Sequence, residues 1–186
     1  ECFLPNEISD RIRNFTNAFC QEFKLKFYDL LQQEGLMRNL VIRTTTTGEV
    51  MVLVLFFHED EKIDTLMEAL QDAFPEITSL NYIINPKKND SYPELDVVNY
   101  SGNPYMIEEL GDYKFKIRPK SFFQTNSLQA KNLYDVVKDF AALTKEDVVY
   151  DLYSGVGSIG LYLSGECKKI VGIELVDQAV EDAKEN

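Results

Sequence analysis

Residues 148–174, VVYDLYSGVGSIGLYLSGECKKIVGIE, carry an acid and three glycines at a spacing that suits one kind of ligand chemistry. Val148, Val149 and Tyr150 form a short apolar run ending in Asp151, and the turn that follows holds Gly155, Gly157 and Gly160 in a G-x-G-x-x-G frame. Glycines so placed let the backbone turn tightly and approach a ligand closely. A helix from Ser158 to Ser164 would aim its unpaired N–H groups at that ligand, and a second β run, Lys168 to Ile173, ends in Glu174. This carboxylate lies about twenty residues past the glycines, the spacing at which an acid reaches the ribose hydroxyls of a bound nucleotide. A dinucleotide pyrophosphate is anionic and would be poorly served by Asp151, four residues before Gly155, whereas the ammonium and sulfonium of S-adenosylmethionine are cations. The glycines alone would also suit a plain turn. With the preceding acid, the βαβ frame and Glu174, they favour S-adenosylmethionine over a dinucleotide, and a methyltransferase over a dehydrogenase or an empty βαβ unit.

The elements that must position this turn can be read along the chain. Asn6 can cap a helix, and Ile8, Ile12, Phe15, Phe19 and Phe23 recur at intervals of three or four, which predicts a helix over residues 6–23 laid on a sheet. Leu40 to Thr46 and Val50 to Phe57 flank Thr47-Gly48 as a β-hairpin. Ile63, Leu66, Met67, Leu70 and Phe74 mark a second helix closed by Pro75, Thr78 to Ile84 a further strand, and Asn85 to Pro93 a loop. Residues 94–118 hold two or three short β segments with turns at Gly102-Asn103-Pro104 and Gly111-Asp112. After the cap Asn126, Leu128, Leu133, Val136, Val137, Phe140 and Leu143 mark a third helix. The expected fold class is α/β: an α+β domain with a mainly antiparallel sheet over residues 1–120, then the first βαβ part of a Rossmann-like methyltransferase domain over 121–186.

Composition narrows the partners. The chain has 186 residues, 45% of them hydrophobic, enough for one ordinary domain or two small ones. No apolar run approaches the roughly 18–20 residues of a membrane span and no signal-peptide pattern opens the chain, so a soluble cytoplasmic protein is expected. Cys2, Cys20 and Cys167 are unevenly spaced and accompany a single histidine, His58, which is neither a disulfide framework nor a self-contained zinc site. Cys20 reads as packing, Cys167 as packing or a mildly exposed thiol, and His58 as a boundary residue. A net charge of −12 argues against broad attraction to nucleic acid. Yet Lys114, Lys116, Arg118, Lys120, Lys131 and Lys138 fall in a stretch where Asp135 is the one acid. A solvated surface is the ordinary explanation of such a run. This one surrounds Ser121-Phe122-Phe123-Gln124-Thr125-Asn126, directly before the glycine unit, which favours a phosphate-binding face with Phe122 or Phe123 stacking on a base. One of the two phenylalanines is expected in the core.

The motifs SFFQTN (121–126), DLYSGVGSIG (151–160) and VGIE (171–174) together resemble the ribosomal and transfer RNA uracil-5-methyltransferases, and most of all the branch acting on 23S ribosomal RNA. The resemblance covers residues 118–186 firmly and the preceding region more weakly, as the family's central domain. It implies S-adenosylmethionine contacts at Gln124, Tyr153, Ser158 and Glu174, with Phe122 near the target uracil. Ser158 stands where the family has asparagine. Cys2 falls where some members carry the last cysteine of an iron–sulfur cluster, whose other ligands would precede residue 1.

Uracil carbon-5 is a poor nucleophile until a thiolate adds to carbon-6 and makes an enolate, which attacks the methyl sulfonium; a base then removes the carbon-5 proton and the thiol is expelled. The family places that cysteine and base on later strands, so the chain reads as a fragment without its catalytic residues. Such a fragment, with open strand edges, is expected to self-associate or to leave residues 145–186 loosely ordered. The alternatives are a methyltransferase for another RNA base or a small molecule, and a non-catalytic RNA- or protein-binding module.

Overall fold

The computed structural model describes residues 6–186. Cys2 lies outside these residues. Compactness divides the chain into two units: residues 1–44 with 48–104, and residues 45–47 with 105–186.

In the first unit, α1 (Glu7–Glu22) begins as expected: the Asn6 side chain accepts the Ser9 N–H at 3.2 Å. Strands β1 (Met37–Thr44) and β2 (Val50–Phe56) form the antiparallel hairpin. Helix α2 (Lys62–Ala73) then crosses over to β3 (Ile77–Ile84), which runs parallel to β2, and β4 (Val98–Gly102) pairs antiparallel with β3. The sheet order is β1-β2-β3-β4, with two of three pairings antiparallel. Every residue of β2 is buried because the strand is covered on both faces. Val50, Val52, Val54 and Phe56 meet α1 and α2 through Ile12, Phe19, Ile63, Leu66 and Leu70. Leu53 and Leu55 meet Ile83, with Tyr92, Leu95 and Val97 of the following loop over them. The alternation is the period of two that a strand imposes.

In the second unit, β5 (Met106–Leu110) and β6 (Tyr113–Ile117) form a hairpin, followed by α3 (Ser127–Ala141). β7 (Val148–Leu152), α4 (Ser158–Leu163), a single 3₁₀ turn (Ser164–Glu166), β8 (Lys169–Ile173) and α5 (Asp177–Glu185) complete it. β7 and β8 pair in parallel across α4, which is the βαβ unit the glycine spacing predicts. The packing boundary falls between Pro104 and Tyr105, whereas the sequence reading divides the chain at residue 120, because β5 and β6 pack with α3, α4 and α5. Phe115 of β6 accordingly meets Phe123 at 5.4 Å between ring centroids.

Helix α3 forms where expected, and Asn126 accepts the Gln129 N–H at 3.0 Å. Its packed face is not the one its leucines suggest. Ser127, Ala130 and Tyr134 are buried, while Leu128, Leu133, Val136 and Phe140 are exposed. The small residues let the helix lie close on β5 and α4, and this turns the apolar stripe outward.

Candidate functional site

Strand β7 delivers Asp151 to the start of the glycine turn, and the carboxylate turns back into it. Its Oδ2 accepts the Gly160 N–H at 3.0 Å. Burial raises the Asp151 pKa, an effect that this N–H opposes. The approach explains the third glycine: a Cβ there would stand 3.1 Å from Asp151 Oδ2 and 3.2 Å from Ile170 Cγ2. Gly157 is needed for its conformation, φ +79°, as the residue that opens α4.

Between the acid and the glycines, Tyr153 adopts φ +62°. The left-handed region costs a non-glycine residue about 1–2 kcal/mol. Its side chain is also 90% exposed, so no packing within the described residues compensates.

Glu174 sits directly across the turn. Its Oε2 accepts the Gly155 N–H at 2.8 Å, and its Oε1 accepts the N–H groups of Leu175 (2.8 Å) and Val176 (2.9 Å). The Val176 and Gly155 donors hold its pKa below the ordinary glutamate value. One carboxylate thus joins the glycine turn to the segment leading into α5.

Ser158, the first residue of α4, shares a hydrogen bond of 3.0 Å with the Oη of buried Tyr134. Nothing in the local spacing signals Tyr134, because it lies on another helix. Gln124 is half-buried, and its amide makes no hydrogen bond among the described residues. The neighbouring phenylalanines divide as expected: Phe123 is buried, and Phe122 is 74% exposed. Asp151, Tyr153, Gly155, Gly157, Ser158 and Glu174 are therefore gathered at one end of the β7–β8 pair. They offer hydrogen-bond acceptors, an exposed ring and a tight turn, which suits a cationic, ribose-bearing cofactor such as S-adenosylmethionine.

The basic stretch is largely occupied by ion pairs. Lys114 faces Glu109 at 3.0 Å and Lys116 faces Glu185 at 3.4 Å. Lys131 pairs with Asp135 at 2.9 Å and Lys138 with Glu166 at 2.5 Å. Arg118 binds Asp182, whose side chain is fully buried, and Glu185 at 3.1 Å. Asp182 also accepts the Ser121 hydroxyl at 2.6 Å and the Gln178 amide at 3.0 Å. This latch ties the strap 118–124, which carries Phe122 and Gln124, to α5. Sequence reasoning missed it, since Arg118 and Asp182 are 64 residues apart.

Both described thiols are buried. Cys20 is buried and burial pushes its pKa up to about 11. Cys167 is buried with its Sγ 3.7 Å from the carbonyls of Leu163 and Lys169. His58 Nδ1 lies 2.9 Å from the Glu59 carbonyl. Among the described residues no group of three metal-binding side chains occurs, and no helix is long and apolar enough to cross a membrane.

No protein-family model matches the chain. Across its whole length the chain is 47% identical to a protein of Bacteroides thetaiotaomicron and, at the same identity, to one of Porphyromonas gingivalis, each named an uncharacterized RNA methyltransferase. It spans 42% and 41% of these two relatives, so about two fifths of their length. Among solved structures, it is similar to a Pyrococcus abyssi tRNA (uracil-54, C5)-methyltransferase in complex with S-adenosyl-L-homocysteine. There the TM-score is 0.77 and the identity 29%, over 100% of this chain and 44% of that one. An M. jannaschii tRNA m1G37 methyltransferase shares the fold alone, at TM-score 0.52 and 16% identity, over 92% of this chain and 47% of that one.

Proposed function

We propose that the chain is the cofactor-holding part of an S-adenosylmethionine-dependent RNA methyltransferase that forms 5-methyluridine in ribosomal RNA. The observation that carries this reading is Tyr153, strained and exposed, set beside the Gly155 turn that Glu174 clasps. Similarity along the full chain to proteins named RNA methyltransferases supports the reaction class, and similarity to a uracil C5 enzyme supports the position methylated. Transfer RNA is the second reading of the substrate, favoured by the name of that neighbour.

In this proposal Glu174 accepts the ribose hydroxyls, Tyr153 lies against the cofactor, and Gln124 and Ser158 donate or accept at its polar edges. Asp151 closes the turn through Gly160 and supplies negative charge beneath it. When bound, S-adenosylmethionine supplies an electrophilic methyl group. Phe122, an exposed ring, would stack on the target base. Lys114, 72% exposed in a surface pair worth little by itself, keeps a role toward phosphate, together with Lys116 and Lys120. Arg118 is given a positioning role instead, because its guanidinium is held by buried Asp182. Carbon-5 methylation also needs a thiolate and a base. Neither Cys20 nor Cys167 meets that need, and the proposal assigns both groups to the part of the relatives that this chain does not span.

The test is methyl transfer by the full-length protein, supplied with labelled S-adenosylmethionine and either 23S ribosomal RNA or transfer RNA transcripts. Label recovered as 5-methyluridine from ribosomal RNA supports the reading; label confined to transfer RNA selects the second substrate. A different methylated nucleoside overturns the uracil assignment.

A further inference from the structure

Residues 25–37 of the first unit form a tightly bonded loop. The N–H groups of Leu36 and Met37 donate to the Lys26 carbonyl at 2.9 and 3.0 Å, and Tyr28 N–H donates to the Met37 carbonyl at 2.7 Å. The Asp29 carboxylate accepts the N–H groups of Leu31 (2.8 Å) and Gln32 (2.9 Å). Gly35, at φ +114°, admits the close return of the chain, since a Cβ would meet the Phe27 carbonyl oxygen at 2.4 Å. Extended backbone sends successive side chains in opposite directions. Tyr28 goes inward, 4.6 Å from the Phe57 ring and 4.2 Å beneath the Arg38 guanidinium. Phe27 is thereby sent outward and is 55% exposed.

Phe27 lines two clefts at once. One, of ≈ 420 Å³, includes Arg13, Asn14, Asn17, Arg38 and Asn39 and has no carboxylate in its wall. The other, of ≈ 500 Å³, includes Lys24 and Lys26 with Asp29 and Glu34. Lys24 and Lys26 are exposed and face no carboxylate within ion-pair distance among the described residues, unlike Lys114, Lys116, Lys131 and Lys138. Of the four cations lining the two clefts, Arg13 pairs with Asp10 and Arg38 with Asp90, both at 3.0 Å, which leaves Lys24 and Lys26 as the cations open to a ligand.

We infer that this face binds single-stranded RNA: Phe27 stacks on a base, Lys24 and Lys26 meet phosphates, and Asn14, Asn17 and Asn39 offer amides to base edges or 2′-hydroxyls. A preorganised exposed ring between amides and unpaired cations matches the chemistry of an unstacked nucleotide. The inference rests on the reading of the chain as part of an RNA methyltransferase.

Filter binding of labelled bulk ribosomal and transfer RNA to the full-length protein, over a range of salt, tests it. Phe27→Ala and Phe27→Leu each weaken binding about tenfold, while Phe27→Trp retains it. Changing Lys24 and Lys26 together to Gln flattens the salt slope by about 1.4. Affinity for S-adenosylhomocysteine stays at the wild-type value in all four variants. If Phe27→Leu binds as wild type, stacking is overturned and the face is an apolar contact for a protein, in which exposed Leu30 and Leu31 would share. RNA affinity and salt slope unchanged in every variant, with the wild type still methylating RNA, overturns this inference alone. A wild-type protein that neither binds nor methylates RNA overturns both it and the reading beneath it.

Discussion

Tyr153 and Glu174 separate the energetic cost of the site from its use. Tyr153 at φ +62° gains no burial in return for its strained backbone. Tyr153→Gly therefore leaves unfolding free energy unchanged or raises it by up to about 1 kcal/mol, because relief of strain outweighs the extra chain entropy of glycine. The same change weakens S-adenosylhomocysteine binding, measured by calorimetry; a variant that loses stability and keeps affinity refutes the assignment. For Glu174, loss of a charged hydrogen bond costs roughly 1.5–3 kcal/mol, so Glu174→Ala lowers affinity by about one to two decades. Its folded pKa lies below the ordinary value of 4.5, through the Val176 and Gly155 N–H groups. A depressed carboxylate pKa contributes fully above the unfolded value and is lost as pH falls through the folded one. The Glu174 contribution is accordingly constant from neutral pH down to the ordinary glutamate range and disappears only below it. A decline beginning near pH 6–7 would point to another group.

At the scale of elements, the contact between the strap 118–124 and α5 rests on two carboxylates, buried Asp182 and the partly exposed Glu185. Asp182→Ala leaves Arg118 with Glu185 as its carboxylate partner and should cost about 3 kcal/mol, the lower end for a broken buried pair, because Arg118 is 26% exposed and keeps that partner. Asp182→Leu combined with Arg118→Met should recover most of that loss in urea unfolding. A double variant as unstable as Asp182→Ala would mean that the Ser121 hydroxyl bond to Asp182, not the ion pair, holds the strap. Helix α3 offers the complementary case. Phe140→Ser, at a position 87% exposed, should shift stability by less than about 0.5 kcal/mol, whereas Tyr134→Phe, which removes the bond to Ser158, should cost about 1 kcal/mol.

At the scale of the whole chain, the two units are protected unequally. β2 is paired on both sides and buried throughout, so its amides should exchange slowest with solvent. β7 pairs with β8 in a sheet of two strands, and Val148, Tyr150 and Leu152, all on one face, are 47%, 63% and 60% exposed. Its amides should exchange well before those of β2. The open apolar face should also make the 186-residue polypeptide associate as concentration rises, visible by analytical ultracentrifugation and reduced by Tyr150→Lys. Equal protection of β2 and β7, with a monomer at all concentrations, would refute this account of the second unit.

Local signals were enough for much of this protein. Asn6 and Asn126 announce helix starts, Thr47-Gly48 a hairpin, and Gly155, Gly157 and Gly160 a tight turn from strand to helix, because each depends on residues within a few positions of one another. The clasp of Gly155 by Glu174 is not read from the sequence, which assigns that carboxylate to ribose hydroxyls, although the direct succession of β7, α4 and β8 brings the two together. Tertiary structure alone decided what distant residues do. The parallel pairing of β2 with β3 depends on the path of α2. The outward turn of the α3 leucines depends on how closely Ser127 and Ala130 let the helix approach β5. Arg118, read in the sequence as part of a phosphate-binding face, is committed to Asp182 and Glu185 because folding brings α5 against β6. Charge and periodicity are properties of a segment, but whether a charge is available depends on what the rest of the chain places opposite it.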